Sequence, residues 1–212
     1  MPDSAAQRGA VTAADTELFW REASGPNGER APAALPLYNA VFAHDHARAA
    51  KFLERGASPN EVLFPKRWSV LMVAIAYRDK GMAQLLLHHG ANIDYVSADP
   101  ADYTPLGVAL NAGLTAALES GEEDPQVDFS MFRFLLDSGA NINLEFREGE
   151  DIAIFAANLG QMNLVNELLS RGYSRDLPEL KKALNIRHVD ETAQPEKDRA
   201  LATIDRLLLT KK

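Results

Sequence analysis

The sequence predicts an all-α fold, a solenoid of helix–turn–helix units with projecting hairpin loops and helical caps, and three observations carry that prediction. The stretch LLLHHGANID at Leu85 to Asp94 recurs as FLERGASPN from Phe52 to Asn60, LLDSGANIN from Leu135 to Asn143, and LLSRGYSRD from Leu168 to Asp176. The glycines of these copies, Gly56, Gly90, Gly139 and Gly172, are separated by 90−56=34, 139−90=49 and 172−139=33 residues, so two gaps hold one unit and the third holds a unit plus an insertion. A second anchor keeps a constant distance: Ala40, Ala74 and Ala156 lie 16 residues before Gly56, Gly90 and Gly172, and Ala109 lies 30 before Gly139, which is 16 plus 14 inserted residues. Self-similarity at such a period marks a stacked repeat array.

Each element follows from local chemistry. Residues 1–34 are read as a flexible segment and a capping helix: 1–12 are small and polar, Thr12 to Ala23 carries Leu18, Phe19 and Trp20 in a charged setting, and Ser24-Gly25-Pro26-Asn27-Gly28 breaks the helix. Helix pairs then follow at about 36–43 with 46–55, 70–77 with 80–89, 105–117 with 129–137, and within 152–171, making four units over 35–176. Leu37, Val41, Phe52 and Leu53 face inward in the first unit, and Leu71, Ile75, Met82, Leu85 and Leu86 in the second. Ser69, Thr104 and Asp151 precede first helices, where a side-chain oxygen caps a free amide, and the proline of Thr104-Pro105 suits a first turn. The small Ala40, Ala74, Ala109 and Ala156 allow close approach of antiparallel helices. Each second helix stops at a glycine, which takes positive φ without steric cost, and the Asn or Asp beyond it is expected to bond its own backbone in a turn. The insertion, about 113–128, is expected to bulge from the inter-helix turn of the third unit, where it costs little closure entropy. Residues 177–212 read as a C-terminal capping helix pair, polar on one side as the end of an array requires.

With those residues in view, the chain resembles the ankyrin-repeat family, whose motif runs TPLHxA, then a second helix ending in LLxxGA and a polar hairpin. The match is best at Thr104-Pro105-Leu106 through Ala109 and at Leu86-Leu87 through Gly90-Ala91-Asn92. Departures are Tyr38, Met72, Gly107 and Ile154 at the usual histidine, Tyr173 for the alanine after Gly172, and Arg48 at a normally apolar second-helix position.

Composition excludes several function classes. The 212 residues carry a net charge of −8, so the average field repels nucleic-acid phosphates and anionic membranes and favours a basic partner. No cysteine occurs, which removes disulfides, thiol nucleophiles and cysteine metal sites. No apolar run reaches the roughly 18 residues of a membrane span and no signal-peptide pattern opens the chain, so the expectation is a cytoplasmic protein, with a removed signal peptide looking the same.

Catalytic constellations are sparse, and neither a catalytic, a cofactor nor a metal site is expected. His44 and His46 fall at the turn between the first unit's helices and stand two apart, so on a helix they would point to different sides and share no metal. His88 and His89 suit a helix C-terminus, and His188 falls in a polar loop. Glu119, Glu122, Glu123 and Asp124 lack the alternating ligands of a calcium loop.

What the resemblance implies is protein recognition by the exposed side of the first helices and the hairpin tips, one concave face in the family. Its first-helix positions correspond here to Phe42, Tyr77, Asn111 and Asn158, and its tips to Phe64, Trp68, Tyr95, Tyr103 and Phe146, with Arg67 and Arg147 beside them. Aromatic and arginine side chains dominate interface hot spots. The expected function is non-enzymatic binding of another protein, basic in charge, by a monomer that inhibits or escorts it. An antitoxin or immunity protein is one form, since the Ala- and Arg-rich composition points to a GC-rich bacterial genome. The alternative is a ligand- or metal-binding protein or enzyme with a pocket at the acidic insertion, involving Glu122, Glu123, Asp124 and Asp128.

Overall fold

Glycine turns, alanine contacts and side-chain caps generate the paired helices. The computed structural model describes residues 35–63, 68–97, 104–119, 127–147 and 150–210, and forms two compact units, Met1–Asn92 and Ile93–Lys212. The predicted N-terminal cap and the insertion residues 120–126 lie outside the described residues.

In the first unit α1 (Leu35–Phe42) packs on α2 (His46–Glu54), and α3 (Val70–Ala76) on α4 (Lys80–His88). The two pairs stack in register, α1 on α3 and α2 on α4. Ala40 and Ala74 are buried where the helices approach. Asp45 and Asp79 cap the second helices by accepting from the Arg48 and Met82 amides, both at 2.9 Å. Between the pairs, β1 (Val62–Leu63) and β2 (Trp68–Ser69) form an antiparallel hairpin stem, and the Ser69 hydroxyl then accepts from the Met72 amide to start α3. Leu37, Val41, Leu53, Leu71, Ile75, Met82 and Leu86 are buried as expected. Phe52 and Leu85 are only half-buried. The Arg48 guanidinium lies over the Phe52 ring, 5.6 Å from its centroid, a cation–π contact that accommodates an arginine at an apolar position.

The second unit contains α5 (Pro105–Glu119) with α6 (Ser130–Asp137), α7 (Ile152–Asn158) with α8 (Met162–Ser170), and α9 (Leu177–Ile186) with α10 (Gln194–Thr210). α7 packs on α9 and α8 on α10. Ion pairs link α6 to α8: Arg133 meets Glu167 at 2.9 Å, and Arg171, just beyond α8, meets Asp137 at 2.8 Å. A second hairpin stem pairs β3 (Glu145–Arg147) with β4 (Glu150–Asp151). Part of the inserted sequence lengthens α5 to 15 residues, against 7 in α3 and α7, so the described insertion is helix as well as turn. The returning chain presses on that helix, where a Cβ at Gly113 would lie 2.5 Å from the Asp128 carbonyl oxygen.

The anchor glycines adopt φ of +90° at Gly56, +88° at Gly90, +93° at Gly139 and +96° at Gly172. Nothing lies within 4 Å of a Cβ built on any of them, so glycine is required for backbone conformation, not for space. The chain then doubles back: the amides of Ala57, Ala91, Ala140 and Tyr173 donate to the carbonyls of Phe52, Leu86, Leu135 and Leu168, each at 3.0 Å, filling acceptors that the helix end leaves open.

Asn141 forms the expected Asx turn, its side chain accepting from the Asn143 amide at 2.9 Å, and four residues beyond the glycine the structure adds a longer bond. The side chains of Asn60, Asp94 and Asn143 accept from the amides of Asn92 at 2.6 Å, Asn141 at 2.8 Å and Ser174 at 2.9 Å, the residues two past the next glycine. Asn60 also donates to the Gly90 carbonyl at 3.0 Å. The polar residue therefore ties one turn to the following turn.

Tyr173, a departure from the family motif, has its own accommodation. Its ring is buried, its hydroxyl donates to the Asp151 carboxylate, and it accepts from the Asp176 amide. Asp151 simultaneously caps α7 through the Ala153 and Ile154 amides. Burial, then the adjacent carboxylate, push the Tyr173 pKa upward, so the phenol stays protonated.

Two stability outcomes follow. Gly139→Ala should lower unfolding free energy by about 1–2 kcal/mol in urea denaturation, while Gly139→Asn loses less, since asparagine tolerates the left-handed region. Tyr173→Phe, which strips a donor from a buried carboxylate, should cost about 1–3 kcal/mol in the same measurement.

Candidate functional site

The first unit brings an aromatic row and an imidazole–carboxylate cluster together at the C-terminal ends of α1 and α3. Tyr38 is buried, and burial, with the nearby Tyr77 phenol adding to it, raises its pKa. Its ring stacks on Phe42 with centroids 6.0 Å apart, Phe42 meets Tyr77 edge-on at 5.5 Å, and Tyr77 meets His44 edge-on at 5.3 Å. Phe42 is half-buried, whereas Tyr77 is 43% exposed. The row thus runs from core to solvent.

His44 and His46 do not diverge as a helical reading requires. His44 is outside α1 with φ of 55°, and both rings converge on Asp79: Nδ1 of His44 lies 2.7 Å from Oδ2, and Nε2 of His46 lies 2.9 Å from the same oxygen. An ionised carboxylate only accepts, so these two nitrogens carry the protons. A signal was present in the sequence, because Asp79 follows Asp45 by 79−45=34 residues, one repeat, and the two histidines flank Asp45. Stacking in register carries the next turn's aspartate to them.

Asp79 feels opposed influences. Partial burial pushes its pKa up, but hydrogen bonds from the Met82 amide, His44 and His46, with the charge effect of His46, outweigh that and hold it below the ordinary carboxylate value. Among the described residues no group of three or more histidine, cysteine, aspartate or glutamate side chains is arranged to hold a metal ion.

The remaining residues singled out from sequence are distributed over both units. Trp68 is partly buried on β2 opposite Leu63, Tyr95 is partly buried after α4, and Asn111 is partly buried within α5. Asn158, the last residue of α7, is exposed beside a groove of about 520 Å³ between α7 and α9. Phe64, Arg67 and Tyr103 lie outside the described residues, as do the side chains of Phe146 and Arg147. Of the acidic insertion, Glu122, Glu123 and Asp124 lie outside them too. Asp128 has a structural task, accepting from the Ser130 amide at 2.9 Å at the start of α6.

Residues 66–98, running from the first hairpin through α3 and α4 past Gly90, match the family model of the ankyrin repeat. This stretch is an ankyrin repeat. The paired helices with glycine-closed second helices are what an ankyrin helix–turn–helix unit requires. Ankyrin repeats generally act as non-catalytic modules for protein–protein binding, and that coarse function follows from the match. No curated protein matches the chain. No helix among the described residues is long and apolar enough to cross a membrane.

A pH dependence follows from Asp79. Its folded pKa lies below the unfolded value near 3.8, so its stabilising contribution is complete above about pH 4 and disappears as pH falls through the lower folded value. The stability difference between wild type and Asp79→Asn, read from urea unfolding at pH 6 and at pH 2.5, should therefore shrink at the acid end.

Proposed function

We propose that the chain acts by binding another protein, and that in its first unit the half-exposed rings of Phe42 and Tyr77, flanked by His44, form the contact. The observation that carries this reading is Tyr77: a large aromatic ring, 43% exposed, backed by a second ring and by a buried third. Such an arrangement offers apolar area at little entropic cost, because packing already limits the rings' freedom before the partner arrives. Asn111 and Asn158 are the corresponding first-helix positions of the second unit. Action follows from coverage, in which the partner is inhibited or escorted while its surface is occupied, as an immunity protein occupies a toxin.

The net charge of −8 favours encounter with a basic protein through long-range steering, which weakens with salt. It does not decide the local contact. Affinity capture with wild type and Tyr77→Ala as baits, followed by calorimetry on the captured protein, tests the face. Truncating a hot-spot ring costs on the order of 1–2 kcal/mol or more, so Kd should weaken at least about tenfold. Equal affinity in a folded Tyr77→Ala protein would remove this face from the binding surface.

A further inference from the structure

The groove between α7 and α9 in the second unit has a composition unlike the chain around it. Ile154 and Ala183 form its apolar floor, and Ile186, 68% exposed, extends that surface to solvent. Asn158 supplies an exposed amide able to donate and accept at once. The charged rim is where the groove departs from an acidic protein. Glu179 and Lys182 cancel each other at 3.0 Å, one turn apart on α9. Arg187 has no carboxylate partner among the described residues. Its guanidinium lies over Gly160, where Nη2 and Nε would be 3.2 and 3.5 Å from a Cβ, so the side chain lies across the turn after α7. Behind it, the Lys197 ammonium donates to the Arg187 carbonyl at 2.7 Å, adding a second positive charge while fixing the backbone that carries the first.

An exposed isoleucine next to an exposed amide and an arginine that has no carboxylate partner among the described residues is a specific combination. We infer that this groove takes a short segment of a partner protein in which an aliphatic side chain is flanked by aspartate or glutamate. The aliphatic group covers Ile154, Ala183 and Ile186, a flanking carboxylate meets the fork of Arg187, and the segment's backbone bonds Asn158. Complementarity of charge selects this occupant, since a basic segment would bring a further cation against Arg187 and Lys197. The chain's overall negative charge acts at longer range and does not cancel a guanidinium in contact.

The inference rests on the protein-binding reading and shares Asn158 with it, but its charged and aliphatic contacts lie in the second unit and the Phe42–Tyr77 contact in the first, so the two fail separately. The probe is the blocked peptide acetyl-Ser-Asp-Leu-Asp-Ser-amide, titrated into the ¹⁵N-labelled full chain at low salt. Controls replace both aspartates by lysine, or the leucine by serine. Saturable amide shifts should centre on Asn158, Ala183, Ile186, Arg187 and His188, and both controls should bind more weakly. Arg187→Gln should reduce affinity about fivefold, the upper end for a solvent-accessible charge pair, and added salt should narrow that gap. Ile186→Ser, at an exposed position that the fold tolerates, should abolish saturation. Equal binding of the lysine control, shifts confined to the first unit, or no saturable shift in a folded wild type would overturn the groove assignment. Retained Tyr77-dependent capture alongside any of those results would leave the first-unit face standing.

Discussion

The structure depends on a backbone reversal in the left-handed region at the end of each glycine-closed second helix. Gly56, Gly90, Gly139 and Gly172 reach nearly the same φ, between +88° and +96°, and each is followed by the same donation back to the last helical turn. That reversal sets the direction in which the chain leaves the helix, and hence where the residue four positions later points. After the first three glycines, Asn or Asp at that position reaches an amide two residues beyond the following glycine, whereas Asp176 after Gly172 caps α9. A local conformational demand is thereby converted into a spacing between turns.

Regular spacing explains how unlike side chains come to act together. His44, His46 and Asp79 meet because turns of successive helix pairs occupy the same register, and Phe42 meets Tyr77 for the same reason. Neither meeting needs a dedicated element. A stacked unit places position-equivalent residues side by side, so a surface for recognition can vary in sequence while the glycine, the capping residue and the buried alanine remain. The exposed ring of Tyr77 and the exposed Ile186 lie outside the buried core that holds the pairs.

Much of this fold was legible in the sequence because its constraints are local. A left-handed turn demands glycine, a helix start demands an acceptor such as Ser69, Thr104 or Asp151, and a close helix contact demands a small residue such as Ala40 or Ala156. Each demand marks one residue type at one spacing. The contacts that were missed join residues about a repeat apart. Asn60, Asp94 and Asn143 looked like ordinary turn formers because an Asx side chain can satisfy either its own backbone or another turn's. Tyr173 looks like a defect in the sequence since its partner, Asp151, is 22 residues away and reads there as a helix cap. Ile186 and Arg187 read only as part of the loop within the C-terminal capping pair. Their relation to Ile154, Asn158 and Gly160 appears only when α9 is laid on α7.

The central claim is that the glycine reversals and the Asx bonds together hold neighbouring turns at fixed spacing, giving recognition side chains a rigid base. Native-state hydrogen exchange addresses this directly at the amides of Asn92, Asn141 and Ser174, which lie in turns and would exchange freely without their side-chain acceptors. The account predicts protection at all three comparable to that of the adjoining helix ends. Exchange at unprotected rates there, in a chain whose helix cores remain protected, would contradict it.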